Sequence, residues 1–403
     1  MQFFYSVFIH FYGFILHFAS FFNKKAGKWC VARENLLPAL AKKINADDNY
    51  CWIHCASAGE FEQAIPLINR IKSQESGIKA EKNNLQIAVS FFSPSGFEMY
   101  KDSDEADLFF YFPLDTKQNA TQLIEILKPR FVIFIRNEIW LNVLSELKSN
   151  SIPAFLVNVN LEQKRSFFYQ KYLDKAYPLF TKIYDTKTFG NTKLEKVIGN
   201  KDSTFSNEIL DDFCKNSFVI IAGSSWTKEE EIIAEFYKEY SSKIPNLKII
   251  IAPHEFDKSK INQLQKLFET NIFSYSDRTS KGNSSILFLD KQGILKYAYR
   301  YADIAVIGGG FGKGVHNISE AAVYGIPTIF GTNFHKFEDA NDLVKLQLAF
   351  TVDSSELLQK KLIDLASDIA FRNDIKEKSA HYFTKQKNSS KIIISNIFSQ
   401  VSK

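Results

Sequence analysis

The amino-acid sequence predicts an α/β protein built from two doubly wound parallel sheets, with an apolar helix at its N-terminus. Three observations support this. Short apolar runs alternate with amphipathic stretches along most of the chain, as they do when helices cover both faces of a parallel sheet. A length of 403 residues exceeds one ordinary core and favours two domains of about 150–200 residues. The first 22 residues carry no Asp, Glu, Lys or Arg.

The alternation of strands and helices occurs twice, and a polar stretch at 187–216 separates the two series. We therefore predict an N-terminal domain at 27–200, a C-terminal domain at 206–384 and a tail helix at 385–403. Both domains are expected to be Rossmann-like and to face one cleft, because ligands of such sheets bind outside the carboxyl ends of the strands.

The segment 1–22 is mostly aromatic or aliphatic and is followed at once by basic residues. As a helix it is about 33 Å long, enough to cross the hydrocarbon core of a bilayer. A spanning anchor and an interfacial helix both fit, whereas a cleaved signal peptide is disfavoured because no basic leader or small-residue cleavage site is present. The basic flank places the body of the protein at the cytoplasmic face of a membrane.

Charge and cysteine usage disfavour several classes of protein. A net charge of +5 is too small and too dispersed to indicate a nucleic-acid-binding protein. The four cysteines form neither a disulfide framework nor a metal-ligand spacing, and Cys51 and Cys55 fit core positions near one buried strand. The seven histidines are scattered. We therefore predict a reduced, cytosolic protein without a metal site.

The stretch from 302 to 331 is the most informative part of the chain. An apolar run ends in a glycine loop, and a helix is predicted from Asn317 to a C-cap at Gly325, followed by a further strand. Glycines let the backbone turn its N–H groups towards an anion, and a helix N-terminus favours one. A tight connection without ligand is the alternative. The candidate ligand-binding residues of this stretch are Gly308, Gly309, Gly310, Lys313, His316, Asn317 and Glu320.

Three other turns follow predicted strands and carry polar residues. These residues are Ser57, Gly59, Glu60, Glu138, Ser224 and Ser225. Glu60 is either a general base for an acceptor hydroxyl or a carboxylate that favours the helix dipole. Glu138 either orients the acceptor and supports Glu60 or caps a helix. The serine pair either holds a phosphate or forms an ordinary N-cap.

Eight blocks of the sequence resemble the Kdo transferases, which move 3-deoxy-D-manno-octulosonic acid (Kdo) from its CMP-activated form to lipid A precursors. They occur in the order found in that family, and the resemblance runs from about residue 25 to 350. The blocks are SAGEFEQAIPLI at 57–68, FYFPLD at 110–115, NEIWLNVL at 137–144, IPAFLVNVNL at 152–161, Gly199-Asn200, AGSSWTKEEE at 222–231, DKQGILKYAYRYAD at 290–303, and GKGVHNISEAAVYGIPTIFG at 312–331 followed by NFHKFEDA at 333–340.

The resemblance implies a glycosyltransferase of the GT-B type that inverts the anomeric carbon without a metal, in lipopolysaccharide biosynthesis at the cell inner membrane. It implies that the lipid A precursor binds the N-terminal domain and that CMP-Kdo binds the C-terminal one. Glu60 matches the family's proposed catalytic base. Asn317 and Glu320 match the nucleotide-binding pair of its His-Asn-x-x-Glu motif, while Ser224 and the glycine loop match its phosphate-side turns.

Two departures from the family pattern affect the predicted site. The family usually has Arg-His where this chain has His254 and Glu255, so His254, His316 or Lys313 must replace the arginine at the phosphate. Arg136 stands where an acidic residue is common, which could alter acceptor recognition. The alternatives are another GT-B enzyme that uses a UDP-sugar, as a transferase or an epimerase, and a membrane-anchored sugar-nucleotide-binding protein without turnover.

Overall fold

The computed structural model describes residues 2–45, 48–73, 85–162, 165–257, 259–277, 284–312, 314–386 and 388–401. The chain divides into two compact units: the first comprises Met1–Lys196 and Asn388–Lys403, and the second comprises Val197–Lys387. Each unit contains one parallel sheet.

The strands coincide with the apolar runs, since residues buried on both faces of a parallel sheet are continuously apolar. They are β1 Asn49–Cys55, β2 Leu85–Phe91, β3 Leu108–Tyr111, β4 Phe131–Ile135, β5 Ala154–Val159, β6 Lys182–Asp185, β7 Phe218–Ser225, β8 Leu247–Pro253, β9 Phe273–Ser274, β10 Ile286–Phe288, β11 Ile304–Ile307, β12 Thr328–Gly331 and β13 Ala349–Val352.

The α-helices alternate with these strands and also precede and follow them. They are α1 Gln2–Ser20, α2 Lys24–Val31, α3 Leu36–Ala41, α4 Ala58–Lys72, α5 Pro94–Tyr100, α6 Lys117–Leu127, α7 Leu141–Ser149, α8 Phe167–Ala176, α9 Thr186–Phe189, α10 Thr192–Asp202, α11 Glu208–Phe213, α12 Thr227–Tyr240, α13 Lys260–Phe268, α14 Leu295–Ala298, α15 Ser319–Ala322, α16 Glu338–Lys345, α17 Ser355–Ser367, α18 Ile369–Thr384 and α19 Ser389–Val401.

The sheet of the first unit has the strand order β3-β2-β1-β4-β5-β6. β1 lies in the middle and pairs in parallel with β2 on one side and β4 on the other. The chain therefore winds outward from β1 in one direction and then, from β4, in the other. Between β1 and β4 the winding reverses, and at such a switch point the loops diverge and leave room for a ligand.

The sheet of the second unit has the order β13-β12-β11-β7-β8-β10-β9 and is also parallel throughout its described pairs. Its first strand, β7, pairs with β8 and with β11. The winding reverses between β7 and β11. The prediction of two doubly wound parallel sheets is confirmed.

The core of the first unit is apolar on both faces of its sheet. On one face, α4 contributes Phe61, Ala64 and Leu67, which are fully enclosed. Cys51 and Cys55 are also fully buried and unpaired, which confirms their core placement. Helix α19 packs against α4 and contributes its isoleucines to the same cluster. The C-terminal helix thus belongs to the first unit.

The division between the units falls after Lys196, inside α10, whereas the sequence placed it between 200 and 206. The polar stretch at 187–216 contains α10 and α11 together with most of α9. A buried hydrogen-bond network fixes the start of α10: Thr192 bonds to Asn158 of β5 and to the backbone carbonyl of Gln63 in α4. These contacts between residues distant in sequence are not visible in a local polarity pattern.

Helix α1 lies against the first unit along one of its faces. Ile9 is 3% exposed, and a side chain at Gly13 would collide with Leu114. The opposite face is exposed, with Phe4 at 75% and Phe8 at 60%. By length and composition this helix could cross a membrane. Its inner face packs on the first unit, while most of its surface is exposed.

A buried carboxylate ties α1 to the body of the first unit. Asp115 is fully buried and accepts hydrogen bonds from the Tyr5 hydroxyl (2.6 Å) and from the backbone N–H groups of Asn142 (3.0 Å) and Val143 (2.9 Å). It therefore caps the start of α7 and anchors α1 with one side chain.

We expect Tyr5→Phe to lower the stability of the first unit by about 1 kcal/mol, because Asp115 loses a donor while the ring and its packing remain. For a unit of this size that corresponds to a fall in Tm of about 2–4 °C, measured by differential scanning calorimetry. Phe8→Leu, on the exposed face of the same helix, is the matched control and leaves Tm unchanged. Equal Tm values for Tyr5→Phe and the wild type would show that the bond does not anchor α1.

Candidate functional site

Two carboxylates lie where the winding of the first sheet reverses. Glu60 is in the first turn of α4, directly after β1, and Glu138 follows the neighbouring strand β4. Glu60 is half-buried, and its Oε2 accepts the backbone N–H of Ala56. The backbone N–H of Ser57 also interacts with this carboxylate and lowers its pKa. Glu60 therefore caps the helix start through backbone donors.

The protein environment makes Glu60 more basic than an ordinary glutamate. Burial raises its pKa to about 7, and the negative charge of Glu138 adds to the rise. The Ala56 N–H and the Arg136 guanidinium act in the opposite direction. A carboxylate whose pKa lies near the working pH is suited to general-base catalysis.

Glu138 contacts His54 of β1 and Trp140 of its own loop, and His54 in turn contacts Ser90 of β2. Its Oε2 lies 3.3 Å from His54 Nε2 and accepts the indole N–H of Trp140 at 3.0 Å. On the other side of the imidazole, His54 Nδ1 lies 2.8 Å from Ser90 Oγ, which also accepts the indole N–H of Trp52 at 2.8 Å. Glu138 therefore does more than cap a helix, because a buried chain of hydrogen bonds fixes its position.

The other predicted residues of this edge surround Glu60. Ser57 is the N-cap of α4, but its side chain makes no capping hydrogen bond. A Cβ added to Gly59 would meet nothing within 4 Å, so this glycine borders open space. Arg136 is exposed and has a left-handed backbone with φ of +62°. Its charge faces Glu60, which is consistent with a role at the acceptor.

The glycine loop of the second unit lies at the switch point between β7 and β11. Gly308 and Gly310 are required by close backbone approach: added Cβ atoms would lie 2.0 Å from the Ser224 carbonyl oxygen and 2.4 Å from the Gly331 nitrogen. Gly309 has φ of +89°, which favours glycine. These glycines are therefore required by the close packing of the ends of β7, β11 and β12.

Two amides of this loop are already engaged within the protein, which corrects the prediction that they are available to a phosphate. The Gly308 N–H donates to the Gly223 carbonyl, and the Gly309 N–H donates to Glu229 Oε1, both at 2.9 Å. Glu229 is buried, and its other oxygen accepts the Trp226 N–H. A carboxylate of the protein therefore occupies the place that the glycine pattern had assigned to an anion.

The two serines at the end of β7 have different environments. Ser224 has a left-handed backbone with φ of +49° beside a bulge in the β7–β8 pairing. Ser225 is buried and donates its hydroxyl to Glu230, which in turn pairs with Lys260. The predicted phosphate contact of Ser225 is therefore wrong for its side chain, and Ser224 remains the candidate.

Three rings stack at the same edge of the second sheet. His254 follows β8 and lies 4.1 Å from His316 between ring centroids, and Trp226 lies 4.9 Å from His254. The Trp226 indole donates to His316 Nε2 at 3.1 Å. Burial, together with the neighbouring His254, lowers the pKa of His316. Both effects disfavour the charged form of His316, and its place at the phosphate stays a prediction. Lys313 lies outside the described residues.

Asn317 and Glu320 lie on the same side of their turn, as predicted, and Asn317 Nδ2 donates to Glu320 Oε1 at 2.9 Å. The helix predicted from Asn317 to Gly325 is wrong in length: α15 covers only Ser319–Ala322. It is too short to present a helix dipole to a ligand. Asn317 Oδ1 is buried and has no hydrogen-bond partner in the described structure. A buried acceptor without a partner indicates a ligand that donates to it.

A cavity of about 240 Å³ borders this edge of the second sheet. It is lined by Trp226, Lys228, Glu229, Gly309, Phe311 and Gly312. The sequence analysis singled out only Gly309 of these, because a tryptophan and a buried glutamate in a helix start have no distinctive pattern. Within the described residues, no three His, Cys, Asp or Glu side chains are grouped so as to hold a metal ion.

Solved structures show the fold of the whole chain. A putative UDP-N-acetylglucosamine 2-epimerase from Listeria monocytogenes superposes with a TM-score of 0.60 at 10% identity, covering 88% of this chain and 97% of that one. A glycosyltransferase from Rickettsia africae gives 0.52 at 12% identity, covering 89% and 99%. The predicted GT-B fold is confirmed.

Sequence relatives are more specific. The chain is 29% identical over 356 residues to a bifunctional glycosyltransferase/methyltransferase of Fusobacterium nucleatum, covering 78% of this chain and 52% of the relative, so that it spans about half of that protein. It is 30% identical over 330 residues to a 3-deoxy-D-manno-octulosonic acid transferase of Aquifex aeolicus, covering 78% of this chain and 86% of the relative. The profile of the 3-deoxy-D-manno-octulosonic-acid transferase (kdotransferase) family matches residues 32–197. The chain belongs to this family of glycosyltransferases.

Proposed function

We propose that the protein transfers Kdo from CMP-Kdo to a lipid A precursor, with inversion at the anomeric carbon and without a metal, in lipopolysaccharide biosynthesis. Family membership supports the reaction class. The single observation that carries the chemistry is Glu60: a half-buried carboxylate at the switch point of the first sheet, beside a second carboxylate and with a pKa of about 7.

In the proposed reaction an acceptor hydroxyl attacks the anomeric carbon of Kdo. Its proton passes to the Glu60 carboxylate, the new carbon–oxygen bond forms, and the bond to the CMP phosphate breaks with its electron pair on the phosphate. Glu60 is suited to accept the proton because burial and the charge of Glu138 raise its pKa to about 7. Arg136, close enough to lower the pKa of Glu60, is placed to bind an anionic group of the acceptor.

The second unit is proposed to bind CMP. Asn317 Oδ1 offers an acceptor to a hydroxyl or amine of the nucleotide, while its amide group is fixed by Glu320. The cavity beside the glycine loop has aromatic walls from Trp226 and Phe311 and one cation, Lys228. An aromatic wall with few polar groups is typical of nucleotide and sugar sites.

Attachment to the cytoplasmic face of the inner membrane is proposed to occur through α1. Its outer face is formed by exposed aromatic residues, and Lys24, Lys25 and Lys28 follow on the exposed surface of α2. Apolar side chains next to lysines are the pattern of a helix that lies in the plane of an anionic membrane. A lipid acceptor would then be presented to the unit that carries Glu60.

The reaction is tested by incubating the purified protein with CMP-Kdo and a tetra-acylated lipid A precursor, with EDTA present, and reading the product by mass spectrometry. We expect the acceptor to gain the mass of at least one Kdo. Glu60→Gln should lower the rate by roughly 10²–10⁴-fold, because the base is lost, and should leave CMP affinity unchanged. UDP-N-acetylglucosamine as donor is the matched control and should give no product.

No transfer by the wild type, with CMP still bound, would contradict the proposed reaction. Transfer by Glu60→Gln at the wild-type rate would remove Glu60 from the role of base while leaving the reaction in place.

We expect Asn317→Ala to weaken CMP binding by roughly three- to tenfold, which is the size of one hydrogen bond between neutral groups. Isothermal titration calorimetry with CMP measures the effect. Asn246→Ala, an exposed asparagine at the opposite end of β8, is the control and should bind CMP like the wild type. Unchanged CMP affinity in Asn317→Ala would exclude its carbonyl oxygen as a ligand group.

A triple variant with Phe8→Ser, Phe11→Ser and Phe18→Ser loses three exposed rings of α1. It should bind anionic vesicles more weakly by roughly tenfold or more. Cosedimentation measures the bound fraction. The control carries Leu346→Ser, Leu357→Ser and Ile369→Ser, three exposed apolar residues of the second unit, and should bind normally. Extraction of the wild type from vesicles by alkaline carbonate is also expected; resistance to extraction would indicate a spanning helix.

A further inference from the structure

His54 is a polar group in an aromatic core. It belongs to β1, is fully buried, and lies 4.3 Å from Phe112 and 5.8 Å from Phe134 between ring centroids. A buried imidazole without hydrogen bonds is costly, and a core position of this kind is otherwise filled by an apolar residue. In this protein both ring nitrogens have partners, so His54 forms part of a built network.

The direction of the hydrogen bonds in this network depends on the tautomer of His54. The Trp140 indole N–H lies 3.0 Å from both His54 Nε2 and Glu138 Oε2 and has donor geometry to each. Ser90 accepts from the Trp52 indole, and its own hydrogen can go to His54 Nδ1. In that tautomer Nε2 carries the proton and donates to the Glu138 carboxylate, which only accepts when it is ionised.

We propose that His54 is a positioning residue for the transfer reaction: through Nε2–H it holds the carboxylate of Glu138 in place beside Glu60 without itself touching the substrate. The inference rests on the proposed function, in which Glu60 is the base. It assigns a role to a residue that no motif singled out, and it gives a reason for a buried polar ring near the carboxyl end of β1.

The consequence for Glu60 is electrostatic. Two like charges at one site disfavour each other, and after burial the charge of Glu138 is the largest influence that raises the pKa of Glu60. Without the imidazole donor, the negative charge of Glu138 loses a stabilising hydrogen bond and a fixed position beside Glu60. The pKa of Glu60 would then fall, and Glu60 would become a weaker base.

Three other titratable groups near the two carboxylates keep one protonation state between pH 5 and 9. Burial raises the pKa of the Cys55 thiol well above its usual value, so the thiol stays neutral. Tyr169 and Tyr172 of α8 face Glu138, and burial raises the pKa of both, so they stay protonated. Burial also raises the pKa of Asp115, which caps α7 after the Glu138 loop, to about 7. The difference in midpoint between the His54 variants therefore reports the network, because Asp115 is the same in all of them.

The test compares His54→Asn with His54→Gln, and both with the wild type. The longer glutamine amide can place an N–H close to the position of Nε2, whereas the asparagine amide cannot. We expect the wild-type rate of Kdo transfer to rise with pH through about 7, as Glu60 loses its proton. In His54→Asn the midpoint should fall by about 0.5–1 pH unit, with a lower plateau, while His54→Gln keeps the midpoint. Glu138→Gln should shift the midpoint in the same direction as His54→Asn.

Equal midpoints in His54→Asn, His54→Gln and the wild type would overturn the proposal, because a purely structural role changes stability and plateau but not the midpoint. A second measurement does not depend on activity. In ¹⁵N-histidine NMR spectra, the signal lost in His54→Gln should belong to a ring protonated at Nε2. Protonation at Nδ1 alone would overturn the proposal, even if the protein transferred no Kdo and the proposed function failed.

Discussion

The position of the candidate site depends on one constraint of parallel sheets: all strands end at the same edge, and the winding reverses at a single gap. In the first unit this gap lies between β1 and β4, and in the second between β7 and β11. Glu60 and Glu138 follow the first pair of strands, while Ser224 and the glycine loop follow the second. Within each sheet, residues that are far apart in the sequence therefore lie close together at one edge. The candidate site residues are found at these two edges.

The start of α7 connects the first of these edges to helix α1. Asp115 accepts the backbone N–H groups of the first turn of α7 and the hydroxyl of Tyr5 in α1. The loop directly before α7 carries Glu138 and Trp140, which the His54 network holds from the other side. One helix start is thus fixed by two buried polar groups. Both are costly to bury unless fully paired, and the pairing gives this loop a defined position next to Glu60.

Much of the fold could be predicted from local pattern, and the parts that could not share a physical reason. Apolar runs predicted the strands, and amphipathic stretches predicted the helices that cover them, because both patterns depend only on neighbouring residues in the sequence. The pattern did not reveal that Gly308 and Gly310 are required by backbone packing, because a glycine that packs and a glycine that binds look the same in sequence. Nor did it reveal His54, Ser90 and Trp140, whose contacts join three strand ends. The helix at Asn317 was predicted too long, since an apolar run ending in glycine also fits one short turn.

The engagement of Glu229 changes how an anion can be bound in the second unit. Its carboxylate accepts the N–H groups of Trp226 and Gly309, so the start of α12 and part of the glycine loop are already neutralised by the protein. Burial and the neighbouring His254 lower the pKa of His316. Among the residues that the structure describes, the exposed Lys228 lines the cavity and offers positive charge to a phosphate. Exposed charges are screened by salt, so donor binding through them depends on ionic strength more than binding by buried amides would.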